Sequence, residues 1–192
     1  MPDPNGSACR QRAITLLREL QAGHARFLAG HSAHPHASRV RLQQLVAGQH
    51  PGIAILSCAD SRVPVELLFD AGFGDLFVVR NAGNACTSAT IGSLDYAIQE
   101  LGIPLLVVMG HEGCGAVTAV FGPQSGLTPQ LHDLVQSIRA GLDEETGGSA
   151  GNLSQVFRNN PIQAARHLVR GSALLRERLA ANQVLLEAAY YT

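Results

Sequence analysis

The chain of 192 residues lacks any apolar run long enough to cross a bilayer. Its longest, 53–56 and 105–109, span four and five residues, where a membrane helix needs about 20. It also lacks an excess of charge of either sign: 14 basic and 15 acidic side chains leave a net charge of -1. That gives no electrostatic footprint for nucleic acid or an anionic membrane, and neither is expected as a partner. Residues 1–12 lack the basic start and extended apolar stretch of a secretory signal, which makes a cytoplasmic chain the expectation. Internal repeats are missing too, and the Gly- and Ser-rich segment 144–152 reads as a surface loop, not a domain linker. One domain over 1–192 is expected, with a helical arm and loop (1–48) ahead of an α/β core (49–192). Cysteine is scarce. Cys9, Cys58, Cys86 and Cys114 allow two disulfides in an oxidising compartment, whereas in a reducing one a cysteine in a strand-end motif is more often metal-bound or catalytic.

What the chain does contain is alternation. Residues 13–28 place apolar side chains at helical spacing and predict an amphipathic helix. Residues 30–38, with Pro35 and the histidines His31, His34 and His36, break that pattern and read as a solvated loop. As a His-rich tract they are also a candidate metal site, but a loop does not pre-organise coordination. Four short apolar runs, 53–57, 76–80, 105–109 and 184–189, read as buried strands. Helical patterns separate them at 64–69, 87–101, 115–121 continuing through 131–142, and 163–180. Continuous apolarity suits strands covered on both faces. Alternation with helices predicts an α/β fold: an open, mainly parallel sheet of four or five strands flanked by helices, with an N-terminal helical arm.

Two motifs fall just beyond predicted strand ends. Cys58-Ala-Asp-Ser-Arg-Val63 follows the first run, and His111-Glu-Gly-Cys-Gly115 follows the third. The carboxyl ends of parallel strands are where ligands bind in such sheets. Thiolate and imidazole are good zinc donors, and a set of two cysteines and one histidine leaves a fourth tetrahedral position open. The His-x-x-Cys spacing lets one turn present two donors, with Cys58 arriving from the neighbouring strand. Asp60, two residues from a donor, either fills the open position itself or is held back from it by the planar fork of Arg62. The plainer alternative is a turn-capping aspartate beside a surface arginine.

Cys58-Ala-Asp-Ser-Arg-Val63, Phe77-Val-Val-Arg-Asn81 with Ala82-Gly-Asn84, Ser93-Leu-Asp-Tyr-Ala97 and Gly110-His-Glu-Gly-Cys-Gly-Ala-Val117 resemble successive signature blocks of β-class carbonic anhydrases, in order and at the family's spacing. The resemblance implies reversible hydration of CO2 to bicarbonate and a proton, using hydroxide generated at Zn2+. It implies that Cys58, His111 and Cys114 are the metal ligands. Asp60 and Arg62 become the catalytic dyad gating the fourth position, with Asp60 as fourth ligand in a closed state. Gln49, Phe77, Ala82, Tyr96 and Gly115 match positions around the CO2 pocket, some supplied by a partner subunit; without the resemblance, Phe77 and Tyr96 read as core aromatics. A homodimer or dimer-based higher oligomer is implied, with the apolar stripe of the N-terminal helix packed on the neighbouring subunit. Hydrolysis of CS2 or COS is an alternative within the family, and a catalytically silent zinc module one outside it. Ile55 stands where a bicarbonate-regulated subclass carries tryptophan, which argues against that regulation. The family usually continues past the last strand, so an edge less covered than usual is expected near Thr192. Cys86 matches no ligand position and is expected to be a small buried hydrophobe.

Overall fold

The computed structural model describes residues 4–142 and 152–192; of the predicted surface loop 144–152, all but Asn152 lie outside them. Apolar residues fill the two central strands because helices cover both of their faces. All six residues of β1 (Ile53–Cys58) and all seven of β3 (Leu105–His111) are buried. With β2 (Leu76–Asn81) and β4 (Leu185–Tyr191) they form a four-stranded parallel sheet in the order β2-β1-β3-β4. The register places Ile53 beside both Leu76 and Leu105, Cys58 beside Asn81, and His111 beside Tyr191. This is the expected open α/β sheet, and its carboxyl ends share one edge.

One face packs Ala54, Leu56, Leu106 and Val108 against α4 (Ser88–Gln99), α7 (Leu153–Gly171) and α8 (Ala173–Ala180) through Leu94, Ala97, Leu168 and Leu175. The opposite face packs Ile53, Ile55, Leu105, Val107 and Met109 against α1 (Pro4–Leu28) and α3 (Val65–Leu68). A third cluster caps the carboxyl edge. Val117 of α5 (Gly115–Ala119), Val135 and Ile138 of α6 (Pro129–Gly141), and Val156 and Phe157 of α7 close over Cys58 and Cys114.

Part of the α1 stripe packs on its own sheet: Ala13 and Leu20 are buried in the second cluster, with Leu16, Leu17 and Phe27 packed around them, whereas Leu28 is 68% exposed. Two expectations need correction. Residues 163–180 are two helices, not one. α7 runs through Pro161, and the chain breaks at Ser172, whose hydroxyl accepts from Leu175 N (2.9 Å), capping α8, and donates to Asp95 Oδ1 (2.6 Å). Likewise α5 ends before α6, which starts afresh with Thr128 accepting from Leu131 N and Pro129 in the first turn. Between the His-containing loop and the sheet lies α2 (Arg39–Gln44), capped by Ser38, then a 3-10 turn over Leu45–Ala47. Among the described residues, no helix is long and apolar enough to cross a membrane.

Candidate metal centre

Cys58 ends β1, His111 ends β3, and Cys114 stands at the N-cap of α5. Gly113, in the left-handed region (φ 65°), turns the chain so that Cys114 comes back beside His111. The donor atoms of Cys58, His111 and Cys114 all lie within 4.8 Å of one another, and all three residues are buried. The sulfurs are 3.8 Å apart and both cysteines are free. A disulfide would need about 2.05 Å, whereas two thiolates on a tetrahedral zinc, each about 2.3 Å from it, stand ~3.8 Å apart. His111 Nδ1 donates to the Glu112 carbonyl (2.9 Å), which puts the proton on Nδ1 and leaves the Nε2 lone pair free. That Nε2 is buried and makes no hydrogen bond of good geometry among the described residues. A buried polar atom left alone is costly, and a cation between it and the two sulfurs removes the cost. The donor set therefore fits zinc.

The thiols are unequal. A hydrogen bond from Cys114 holds the Cys58 thiol well below its ordinary range, against burial, with His111 and the Gly83 N–H adding to the effect. The same sharing pushes Cys114 up, and the Cys58 sulfur raises His111. The two sulfurs share one hydrogen bond, and a divalent cation competes directly with its proton.

Asp60 sits above this cluster. Arg62 donates from Nε to Oδ1 (2.9 Å), from Nη2 to Oδ2 (2.8 Å) and from its backbone N–H to Oδ1 (2.9 Å). The guanidinium keeps the Asp60 carboxyl well below the usual carboxylate range. Oδ2 lies 3.9 Å from His111 Nε2, so the carboxylate is within reach of the cluster and bound by Arg62 at once. Arg62 also donates to the Gly113 carbonyl (3.3 Å), tying both motifs together. Residue-by-residue reasoning gave Arg80 no role. Its Nε donates to the Cys58 carbonyl (2.9 Å) and its Nη2 to the Asp60 carbonyl (2.8 Å), fixing the donor loop from β2. Its place in the Phe77–Asn81 block was the available signal.

The pocket candidates divide. Ala82 opens the turn that follows β2, and the exposed Gly115 opens α5 directly after Cys114, so both flank the cluster. Phe77 and Tyr96 pack on each other with ring centroids 6.2 Å apart, and Tyr96 is 49% exposed. Phe77 pairs with Ala54, four residues before Cys58, so it lies ~13 Å down the strand from the cluster. Gln49 is exposed ahead of the amino end of β1. A single chain does not bring these three to the metal donors. The histidines at 31, 34 and 36 form no metal cluster among the described residues; His36 pairs with Asp75 instead (2.7 Å). Cys86 is buried, which pushes its thiol up to about 12, and Ile55 is core.

A parallel α/β sheet with a buried Cys–His–Cys donor set at its carboxyl edge defines a metal-site protein of strand-end type. The carbonic anhydrase family profile matches residues 53–192, and the chain belongs to that family. It is 34% identical over 181 residues to carbonic anhydrase 2 of Mycobacterium tuberculosis, covering 93% of this chain and 87% of that one. It is also 34% identical over 189 residues to a carbonic anhydrase of Mycolicibacterium smegmatis, with 93% and 88% covered. The solved β-carbonic anhydrase CcaA superposes with a TM-score of 0.69 at 28% identity, over 91% of this chain and 83% of that one. A β-carbonic anhydrase of Sordaria macrospora, one of two described as tetrameric, shares the fold with a TM-score of 0.64 at 24% identity, over 92% of this chain and 91% of that one. The chain is thus an enzyme of a family whose general reaction is CO2 hydration.

Proposed function

We propose that this chain catalyses the reversible hydration of CO2 to bicarbonate and a proton, with zinc held by Cys58, His111 and Cys114. The observation that carries this reading is the buried His111 Nε2, without a hydrogen bond among the described residues, facing two sulfurs at tetrahedral spacing. Bound there, zinc lowers the pKa of water toward ~7, supplying hydroxide near neutral pH. Asp60 would accept a hydrogen bond from the hydroxide and orient it, while Arg62 holds the carboxylate back from the donor set; freed from Arg62, Asp60 would be within reach to serve as a fourth donor. A purely structural metal site needs neither residue. Ala82 leaves room for CO2, and the Gly115 N–H faces substrate.

Gln49, Phe77 and Tyr96 complete the pocket from a second copy of the chain, in a homodimer or dimer-based oligomer. What supports this is their distance from the cluster within one chain, the exposure of Tyr96 and the edge position of β2. The whole of 1–192 works as one domain, and two reduced thiols at the centre suit the cytoplasm. The test is stopped-flow CO2 hydration on zinc-loaded, chelator-stripped and reloaded protein. Activity is expected to vanish and return; equal rates before and after verified stripping overturn the proposal.

A further inference from the structure

Resting on the metal reading above, we infer that Asn84 is a positioning residue of the centre: with one buried water behind it, its carboxamide fixes the turn that aims the Gly83 N–H at the Cys58 sulfur. The turn over Ala82–Asn84 is unusual in its backbone. Gly83 (φ 71°, ψ 19°) and Asn84 (φ 45°) are consecutive left-handed residues, a conformation that needs outside support. Its product is a hydrogen bond from Gly83 N to Cys58 Sγ at 3.3 Å, buried. A side chain at Gly83 would be strained by the left-handed backbone and would press on Ile138 Cδ1 at 2.6 Å.

Asn81 clasps the ends of the turn, donating to the Ala85 carbonyl (2.9 Å) and accepting from Ala85 N (2.6 Å), and Asn84 holds its middle. It is 1% exposed, and neither its Nδ2 nor its Oδ1 has a partner within the described chain. A carboxamide buried with both ends alone is costly enough to demand an explanation. The side chain lines a cavity of ≈ 10 Å³ between the turn, α6 and α7, to which Ser137, Asn160, Gln163 and His167 contribute. That volume holds one water, and these groups offer the two to four polar partners such a water requires. No lysine or arginine lines the cavity, so a neutral occupant fits better than an anion. Anchored in this way, Asn84 cannot swing, and the Gly83 N–H stays on the sulfur. Hydrogen bonds to a ligating thiolate draw charge from it, and losing such outer support typically costs 10–100-fold in metal affinity.

The experiment uses the full chain loaded with zinc or with Co(II). In Asn84→Gly, which keeps the left-handed backbone accessible, zinc transfer to a chelator is expected to speed up about 10–100-fold. The thiolate-to-cobalt charge-transfer band should move from its parent position. Asn160→Val, which alters the cavity without touching the turn, should shift the band the same way by less. Diffraction from the zinc-loaded parent should show one ordered water within hydrogen-bond distance of Asn84. A lowered Tm with an unmoved band and transfer within about twofold of parent makes Asn84 merely structural and overturns the inference, as does a dry cavity. A parent cobalt protein with no thiolate band overturns the metal reading and this inference with it.

Discussion

Two aspartates in this chain are held by arginines, in opposite ways. Asp70 has a fully buried side chain that accepts from Arg26 Nε (2.6 Å), Ala33 N (2.9 Å) and His34 N (2.8 Å). Its partners come from α1 and the following loop, so the carboxylate fastens the amino-terminal segment to the end of α3. Asp60 has its partners two residues away on Arg62, keeps a side chain 20% exposed, and stands 3.9 Å from a metal donor. A carboxylate whose partners come from several segments is a fastener. One satisfied locally, on one side, keeps its other side for chemistry. Ion-pair distance alone does not separate the two; the origin of the partners does.

That comparison breaks most sharply at the donors themselves. Cys58→Ser, His111→Ala or Cys114→Ser should reduce zinc from about one per chain to under about a tenth and abolish hydration, measured by metal analysis and stopped flow. Full occupancy in any one of them removes that residue from the ligand set. Next, the two aspartates should cross over. Arg62→Ala is expected to cut hydration about 10–100-fold with zinc retained and Tm nearly unchanged. Asp70→Asn should lower Tm by several degrees with kcat nearly unchanged in the surviving fold. If both variants moved the same readout, the division of roles would be wrong.

Acid separates them further. Hydrogen bonds from Ala33 and His34, together with Arg26, lower the Asp70 pKa to about 2, against ~3.9 in the unfolded chain. A depressed carboxyl stabilises the fold fully above the unfolded value, and that contribution is lost as pH falls through about 2. Unfolding between pH ~4 and 2 should therefore be shallower in Asp70→Asn than in the parent; parallel curves would contradict this. The smallest effect belongs to the exposed His36–Asp75 pair. His36→Asn should change stability by no more than about 0.5 kcal/mol at neutral pH by urea titration.

The strands were legible because β1 and β3 are apolar at every position, and the structure lengthens the four predicted runs by only one or two residues at their carboxyl ends. The donor motifs were visible for the same reason, lying directly after those runs. What escaped were features set by contacts between distant segments. The helix α1 starts at Pro4, though residues 5–12 carry no apolar stripe, because Gly6 is buried against Ala181 and Arg10 reaches Asn182 Oδ1 (3.4 Å). The pattern read as a helix from 163 begins at Leu153, and Pro161 sits inside α7 against Gly110, where a Cβ would meet its ring at 2.7 Å. The seating of α1 on its own sheet rests on Ala13 and Leu20, whose spacing announces an apolar face but not which surface it meets. Asn84 was visible as a letter in a motif; its burial without a hydrogen-bond partner among the described residues was not.

Cys58 and Cys114 are 56 positions apart in the chain, yet they meet only when β1 and β3 pair in one register. Sliding β1 by a single residue would carry Cys58 ~3.3 Å along the sheet and turn its sulfur to the opposite face. Binding metal therefore interrogates the alignment of the two central strands as no local contact does. On a folding chain, capture of the proposed zinc would act as a checkpoint that rewards the correct alignment and passes over slipped ones. The rate of metal uptake by refolding protein would then report how fast the sheet finds its register, a kinetic quantity read out by a metal-sensitive dye.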